Sequence, residues 1–319
     1  MKGVLLVLAV ALAASPAWAK PWRHAVVAPA ADSGFAMMAE KGGFADRQQL
    51  ELKIITYPSD AEALPALRGG EIDSFEGTPT TALLAEKRDD VRIIGCPWLA
   101  LAHAVFTRPS IFVPRDLEGQ FIAASTPAEP PNLVAAAYLA ANAVPLALVR
   151  FANYGSDEAR YAALEGGAAA AAVVSLEYLP LAEHAGLKLA ARGSDLLPNF
   201  VRRCIFATGR NLRARREDAI RFLAADMAAL AHAIKSRDAE IALARKSVGL
   251  GREDPRPDAI FAEAERAGGL APTLPIPLDR IAAMETLLVK AGAMAREFDP
   301  REFVEEDVRD EARDRIGRE

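Results

Sequence analysis

The chain has 319 residues, 51% of them hydrophobic and 25% charged, enough apolar material for one large or two medium cores. That composition excludes an intrinsically disordered chain. A formal net charge of −5 disfavours nucleic acid or an anionic membrane as partner, since either would require a basic face.

Taken in chain order, Lys2, the apolar run Val4 to Ala14 and Pro16-Ala17-Trp18-Ala19 have the form of an export signal ending in an A-x-A exit, with cleavage expected after Ala19. The run breaks at Ser15-Pro16, short of the ~18 residues a membrane anchor needs. His24 to Ala28 then reads as a strand, Pro29 to Ser33 as a loop, and Gly34 to Lys41 as a helix stopped by Gly42-Gly43. Strand Leu50 to Tyr57, helix Ala61 to Leu67, strand Ile72 to Phe75, helix Thr80 to Glu86 and strand Val91 to Ile94 follow. A second set begins after Pro114. It comprises a turn and strand over Leu117 to Ser125, helix Asn132 to Asn142, strand Leu146 to Phe151, helix Leu179 to Ala185 and strand Leu187 to Ala190. Asp195 to Thr208 looks extended, with Phe200-Val201 and Cys204-Ile205-Phe206 as strand. Only helices are expected after it. Ile220, Leu223, Met227, Leu230 and Ile234 make one apolar stripe for core packing. Val304, Val308, Ala312 and Ile316 make a thinner stripe in the charged segment Phe298 to Glu319, which a solvated helix or a frayed tail explains.

Two stretches repeat one pattern. Ala63 to Pro79 and Ala159 to Ser175 each read as a short apolar helix stopped by a glycine pair, Gly69-Gly70 or Gly166-Gly167, then a buried strand. Each strand ends in Gly/Thr or Ser just before another helix. Alternating strands and helices imply an α/β fold with a parallel sheet covered on both faces. Two such lobes, each presenting a polar strand-end loop, would enclose a cleft.

In open sheets ligands bind beyond the carboxyl ends of strands, where helix N-termini offer unpaired N–H groups. Four segments fall at such ends: Ser33-Gly34-Phe35, Gly77-Thr78-Pro79, Ser125-Thr126 with Asn132, and Ser175 with Glu177-Tyr178. For Thr78, Ser125, Asn132 and Ser175, simple helix capping is the alternative. Trp98, Phe35 and Tyr178 could stack on a planar solute, with core filling the alternative for Trp98 and packing of its own helix for Phe35. The candidate loops carry Glu76, Glu129 and Glu177 but no Lys or Arg. Arg202 and Arg203, further on, are the exceptions. These carboxylates suit a neutral or amine-bearing solute at least as well as an oxyanion, and solvated surface is the alternative for each of them.

Cys96 and Cys204 are too few and too far apart for a zinc site or a CxxC motif, and the sequence leaves open whether they form one disulfide or stay as two buried thiols. His24, His103, His184 and His232 are scattered. There is no HExxH, no GxSxG, no GxxxxGK[ST] and no GxGxxG after the first strand, so no catalytic constellation, metal or cofactor site is expected.

Four segments carry a family resemblance: Phe35-Ala36-Met37-Met38-Ala39-Glu40-Lys41-Gly42-Gly43-Phe44; Ala66-Leu67-Arg68-Gly69-Gly70-Glu71-Ile72-Asp73 with Thr78-Pro79; Pro114-Arg115-Asp116-Leu117-Glu118-Gly119; and Ala163-Leu164-Glu165-Gly166-Gly167. In this order they resemble the type II periplasmic solute-binding proteins of the nitrate, sulfonate and taurine group, called NMT1/THI5-like or SsuA-like. The second glycine pair departs from the pattern, with the run Ala168 to Ala172 where an Asp is usual. The resemblance implies two α/β lobes with central mixed sheets, joined by crossover strands near Phe106 to Phe112 and Asp195 to Arg203. Lobe 1 would comprise residues 20–108 and 201–319, including the C-terminal helices, and lobe 2 residues 109–200. It further implies a periplasmic monomer without cofactor that closes about a small organic solute (a sulfonate, aromatic, amine or pyrimidine-like compound) and delivers it to an ABC permease in the inner membrane. A sensory receptor and a THI5-like pyrimidine-processing enzyme are the alternatives.

Overall fold

The computed structural model describes residues 20–27, 30–84 and 90–317. The expected export signal, the strand end at Ala28, the loop residue Pro29 and the last two positions of the expected helix Thr80 to Glu86 lie outside the described residues.

The first run of elements is β1 (Trp22–Val27), α1 (Ser33–Lys41), α2 (Phe44–Arg47), β2 (Leu52–Tyr57), α3 (Asp60–Gly69), β3 (Ser74–Gly77), α4 (Pro79–Leu84) and β4 (Val91–Trp98). The second is β5 (His103–Thr107), β6 (Phe121–Ala124), α5 (Pro130–Ala141), β7 (Arg150–Asn153), α6 (Asp157–Glu165), β8 (Ala171–Ser175), α7 (Leu179–His184), β9 (Lys188–Arg192) and α8 (Gly193–Leu196). The chain then returns as β10 (Arg203–Thr208) and finishes in α9 (Gly209–Ala214), α10 (Arg216–Lys235), α11 (Arg237–Val248), α12 (Arg256–Ala267), α13 (Leu278–Lys290) and α14 (Glu306–Ile316).

Two mixed five-stranded sheets result, ordered β2-β1-β3-β10-β4 and β7-β6-β8-β5-β9. Three strands in each follow the βαβ sense in parallel, and the fourth position is filled by an antiparallel strand next to a crossing: β10, which returns from beyond the second lobe, in the first sheet and β5 in the second. The repeated segments occupy equivalent places, because β3 and β8 are both the middle strand. Each is buried along its whole length, as a strand covered on both faces must be. The helices ahead of them stop where Gly70 (φ 75°) and Gly167 (φ 82°) take up left-handed backbone. The alanine run gives β8 two small side chains, Ala171 and Ala172, on which α5 and α6 pack.

Four expectations need correction. The first crossing runs through Leu99 to Ala102, not Phe106 to Phe112, because His103 to Thr107 is already a strand of the second sheet. His103 is the single polar residue between Leu99 and Phe106, so little in the local pattern marks the crossing, and the 20–108 boundary falls late with it. Leu146 to Leu148 is a 3-10 turn with Leu146 and Leu148 half exposed, and its strand starts only at Arg150. Asp195 lies in the short helix α8, leaving residues 197–202 for the second crossing. Finally, the C-terminal stripe is neither solvated nor frayed: Val308 and Ala312 are fully buried, with α14 packed on α10 and Val304 bridging to Ile93 of β4.

Cys96 of β4 and Cys204 of β10 are joined by a disulfide across adjacent strands. Of the C-terminal helices, α10 and α14 pack on the first sheet and α11 on α1, whereas α12 leans on the turn Leu176–Tyr178 and on α7 of the second.

Candidate functional site

The C-terminal ends of β1, β2 and β3 face those of β6 and β7 across a cleft of about 750 Å³. Asp60, Thr78, Thr80 and Thr81 line it from the first lobe; His103, Thr126, Glu129 and Arg160 line it from the second. Val27, Leu64, Leu84, Pro130 and Pro131 supply an apolar wall.

One device recurs on both sides. After β2, Ser59-Asp60 opens α3, and an Asp60 Oδ2 accepts from the Thr78 amide just past β3 (2.9 Å) and from Thr81 Oγ1 (2.7 Å). After β7, Ser156-Asp157 opens α6, and Asp157 Oδ1 accepts from the Ser175 amide at the end of β8 (3.0 Å). In each lobe a carboxylate thus caps the amide 18 residues further on. The lobes differ in what balances it. Asp157 has Arg160 Nη2 at 2.7 Å and His103 Nε2 at 3.9 Å. Burial raises its pKa, but His103, Arg160 and the Ser175 amide outweigh that and hold the carboxyl below its usual value. Asp60 has no such partner. Burial raises its pKa; the bonds from Thr81 and Thr78 and the charge of Arg203 pull it down, Glu129 across the cleft pushes it up, and the net shift is upward. Burial also lowers His103 to about 4, so the imidazole is neutral at physiological pH, and its Nδ1 is without a partner.

Behind this cleft, on the crossing side, lies a buried ionic floor. Arg202 Nη2 is 2.5 Å from Asp32 Oδ2, and Arg203 sits 3.7 Å from Asp32 and 3.8 Å from Glu76. Glu177, from the second lobe, reaches across to accept from the Ala31 amide (3.2 Å), and burial with Asp32 and Asp157 nearby lifts it to about 8.

The structure brings some expected residues to the cleft and takes others away. Thr78 and Thr126 line it, the Thr126 amide donating to Glu129 (3.2 Å). Ser125 is buried beside Thr126 with its Oγ unpartnered, and Asn132 Nδ2 donates to the Ser125 carbonyl (3.2 Å). Gly77 packs against the Phe75 ring and Asp60, and Pro79 is buried in the first turn of α4. Ser33 closes a local turn by accepting from the Ala30 amide (2.9 Å), and Ser175 behaves as a cap, accepting from the Glu177 amide (3.4 Å). The expected aromatic wall is corrected. Phe35 meets Trp98 edge-on at 5.5 Å and stacks on Phe261 at 5.6 Å; Arg202 covers Trp98 at 3.9 Å; Tyr178 stacks on Tyr161 at 5.0 Å. The chain's own groups occupy these ring faces, and Phe35 and Trp98 border two crevices of about 20 Å³ each, one with Asp32, Ser33 and Arg203 and one with Asp226, Leu230 and Leu270.

Gly34 serves packing as well. A Cβ there would collide with the carbonyl oxygen and side-chain carboxylate of Glu240 on α11. Gly34→Ala is expected to destabilise the fold by about 1–3 kcal/mol through overpacking, read as a lower urea midpoint at unchanged slope.

Sequence reasoning missed Asp60, Thr81, His103, Asp157 and Arg160. A signal was present: Ser59-Asp60 and Ser156-Asp157 stand the same nine residues ahead of their glycine pairs, so extending the repeat towards the N-terminus finds both carboxylates.

No protein-family model and no curated protein matches the chain. Solved structures do. A ligand-binding component of an ABC-type import system from Staphylococcus aureus, with zinc bound, is 14% identical at TM-score 0.75 over 92% of this chain and 99% of that one. The periplasmic aliphatic sulphonate binding protein SsuA from Escherichia coli is 18% identical at TM-score 0.73 over 90% and 97%. A mutant of the desulfurization enzyme DSZB, in complex with biphenyl-2-sulfinic acid, is 15% identical at TM-score 0.69 over 92% and 99%. At these identities the likeness establishes architecture, and with two equivalent mixed five-stranded sheets facing each other across a shared cleft, the chain has the periplasmic binding protein fold.

Proposed function

We propose that the chain is the exported solute-binding component of an ABC importer. A first lobe of residues 20–98 and 203–317 and a second lobe of residues 103–192 enclose a small organic solute, closing about the crossings at 99–102 and 197–202. The observation that carries this reading is the cleft of about 750 Å³ at the facing strand ends of two equivalent sheets, a volume suited to a small molecule. The signal-like first 19 residues support a periplasmic location, and the roles named for the Staphylococcus aureus and Escherichia coli neighbours support a permease as partner.

The likeness to DSZB favours a second reading, that of an enzyme. Against it, both cysteines of the chain are committed to the disulfide, so no thiol remains to act as nucleophile.

A compound screen by thermal shift tests the proposal. A true ligand at ~100 times its Kd adds about 2.7 kcal/mol of stability, and mass spectrometry of the bound fraction should return it unchanged at one per chain. A bound compound recovered as product would move the protein to the enzymes.

A further inference from the structure

We propose that the cleft binds an organic cation, an amine or amidine with an apolar body, held between Asp60 of the first lobe and Glu129 of the second. This rests on the solute-binding reading above and adds the chemistry of the solute.

The two lobes act as each other's control. The second lobe shows how this fold neutralises its capping carboxylate: Arg160, three residues after Asp157, forms an ion pair with it. The equivalent position in the first lobe, three residues after Asp60, is Ala63, which is fully buried. Asp60 therefore lines the cleft with no ion pair of its own among the described residues. Glu129, exposed at the opposite wall, is in the same condition.

An oxyanion would find little to hold it. Two strand-end amides that could receive one are taken, Thr78 N by Asp60 and Thr126 N by Glu129, so an incoming sulfonate meets carboxylates at these two points. The cations nearby are also engaged. Arg160 donates to the carbonyls of Val173 (2.7 Å) and Gly155 (3.1 Å) as well as to Asp157; Arg203 lies between Asp32 and Glu76, its charge reaching Asp60 without forming an ion pair with it; Arg68, on the exposed rim, has interactions of its own. His103 adds no positive charge at neutral pH.

Like charges on opposing lobes also give closure a cost that a ligand can remove. The charge of Glu129 reaches Asp60 across the cleft, opposing approach of the lobes when both are ionised and the gap is empty. A cation between them turns that repulsion into two attractions, while Val27, Leu64 and Pro131 receive the apolar body.

The test uses an isosteric pair, benzylamine and phenylmethanesulfonate, titrated calorimetrically and by thermal shift into the processed chain and into the Asp60→Asn and Glu129→Gln variants. Benzylamine should raise the Tm of the wild type and phenylmethanesulfonate should not. Each variant should weaken benzylamine roughly tenfold or more, the size of a charge-assisted hydrogen bond. Glu129 is exposed, so Glu129→Gln keeps the comparison valid if Asp60→Asn folds poorly. Binding of the sulfonate but not the amine overturns the cation while leaving the solute-binding reading in place. Equal benzylamine affinity in wild type and variants overturns it too. No response to either series, extended to longer alkylamines, amidines and sulfonates, overturns both.

Discussion

Replacing Cys96 and Cys204 together by alanine is expected to cost about 4–5 kcal/mol, because in the loop-entropy account a disulfide closing ~100 residues restrains the unfolded chain by that amount. The separation here is 108 residues, and both cysteines are fully buried, so the bond is inaccessible to reductant until strands part. What it pins is specific: β10 is the strand that returns from the second lobe, and it must insert antiparallel between β3 and β4 to complete the first sheet. Guanidinium denaturation of the double variant should show a midpoint shift worth a third or more of a typical stability of ~5–15 kcal/mol. Reduced wild type should match the variant within about 1 kcal/mol, the allowance for buried sulfur traded for methyl. A variant as stable as oxidised wild type would mean that the strand pairing alone retains β10.

How far the sequence revealed this molecule depended on whether each signal was local. Both glycine-pair segments were legible because a left-handed helix stop and a buried apolar strand are written in adjacent residues, and each became the middle strand of its sheet. The first crossing was not, since Leu101, Ala102 and Ala104 to Phe106 are all buried apolar residues and nothing among them marks the change of sheet. At the site, Thr78 and Thr126 were readable as polar residues at strand ends. The fates of Phe35 and Trp98 were set by partners far along the chain, Phe261 and Arg202, which no local pattern predicts. Asp60 stood in between: invisible singly, but legible once the two halves are aligned on their glycine pairs and Ser59-Asp60 falls beside Ser156-Asp157. That alignment also reveals the missing arginine, on which the chemistry of the cleft turns.

Asp32→Asn should destabilise the protein by about 3–5 kcal/mol, because it strands a buried guanidinium without its counter-ion. Arg202 is 8% exposed, its Nη2 depends on Asp32 at 2.5 Å, its Nη1 has no hydrogen-bond partner, and its flat face lies against Trp98. Arg203 loses a partner as well, keeping Glu76 at 3.8 Å. If the loss comes from the orphaned cation rather than from Asp32's own packing, removing both charges must be milder than removing one. Asp32→Asn with Arg202→Met should therefore recover part of the single-variant loss in a double-mutant cycle. The pH dependence supplies an independent check. Burial by itself would raise Asp32, but Arg202 and Arg203 outweigh it and hold the folded carboxyl below its ordinary 3.8. Its contribution is consequently whole above that value and disappears as the pH falls through the lower, folded one. The stability gap between wild type and Asp32→Asn should thus narrow as the pH falls below about 4. A gap that stays constant into stronger acid, or a double variant as damaged as the single, would show that Asp32 acts through the shape of the loop after β1 and not through its charge.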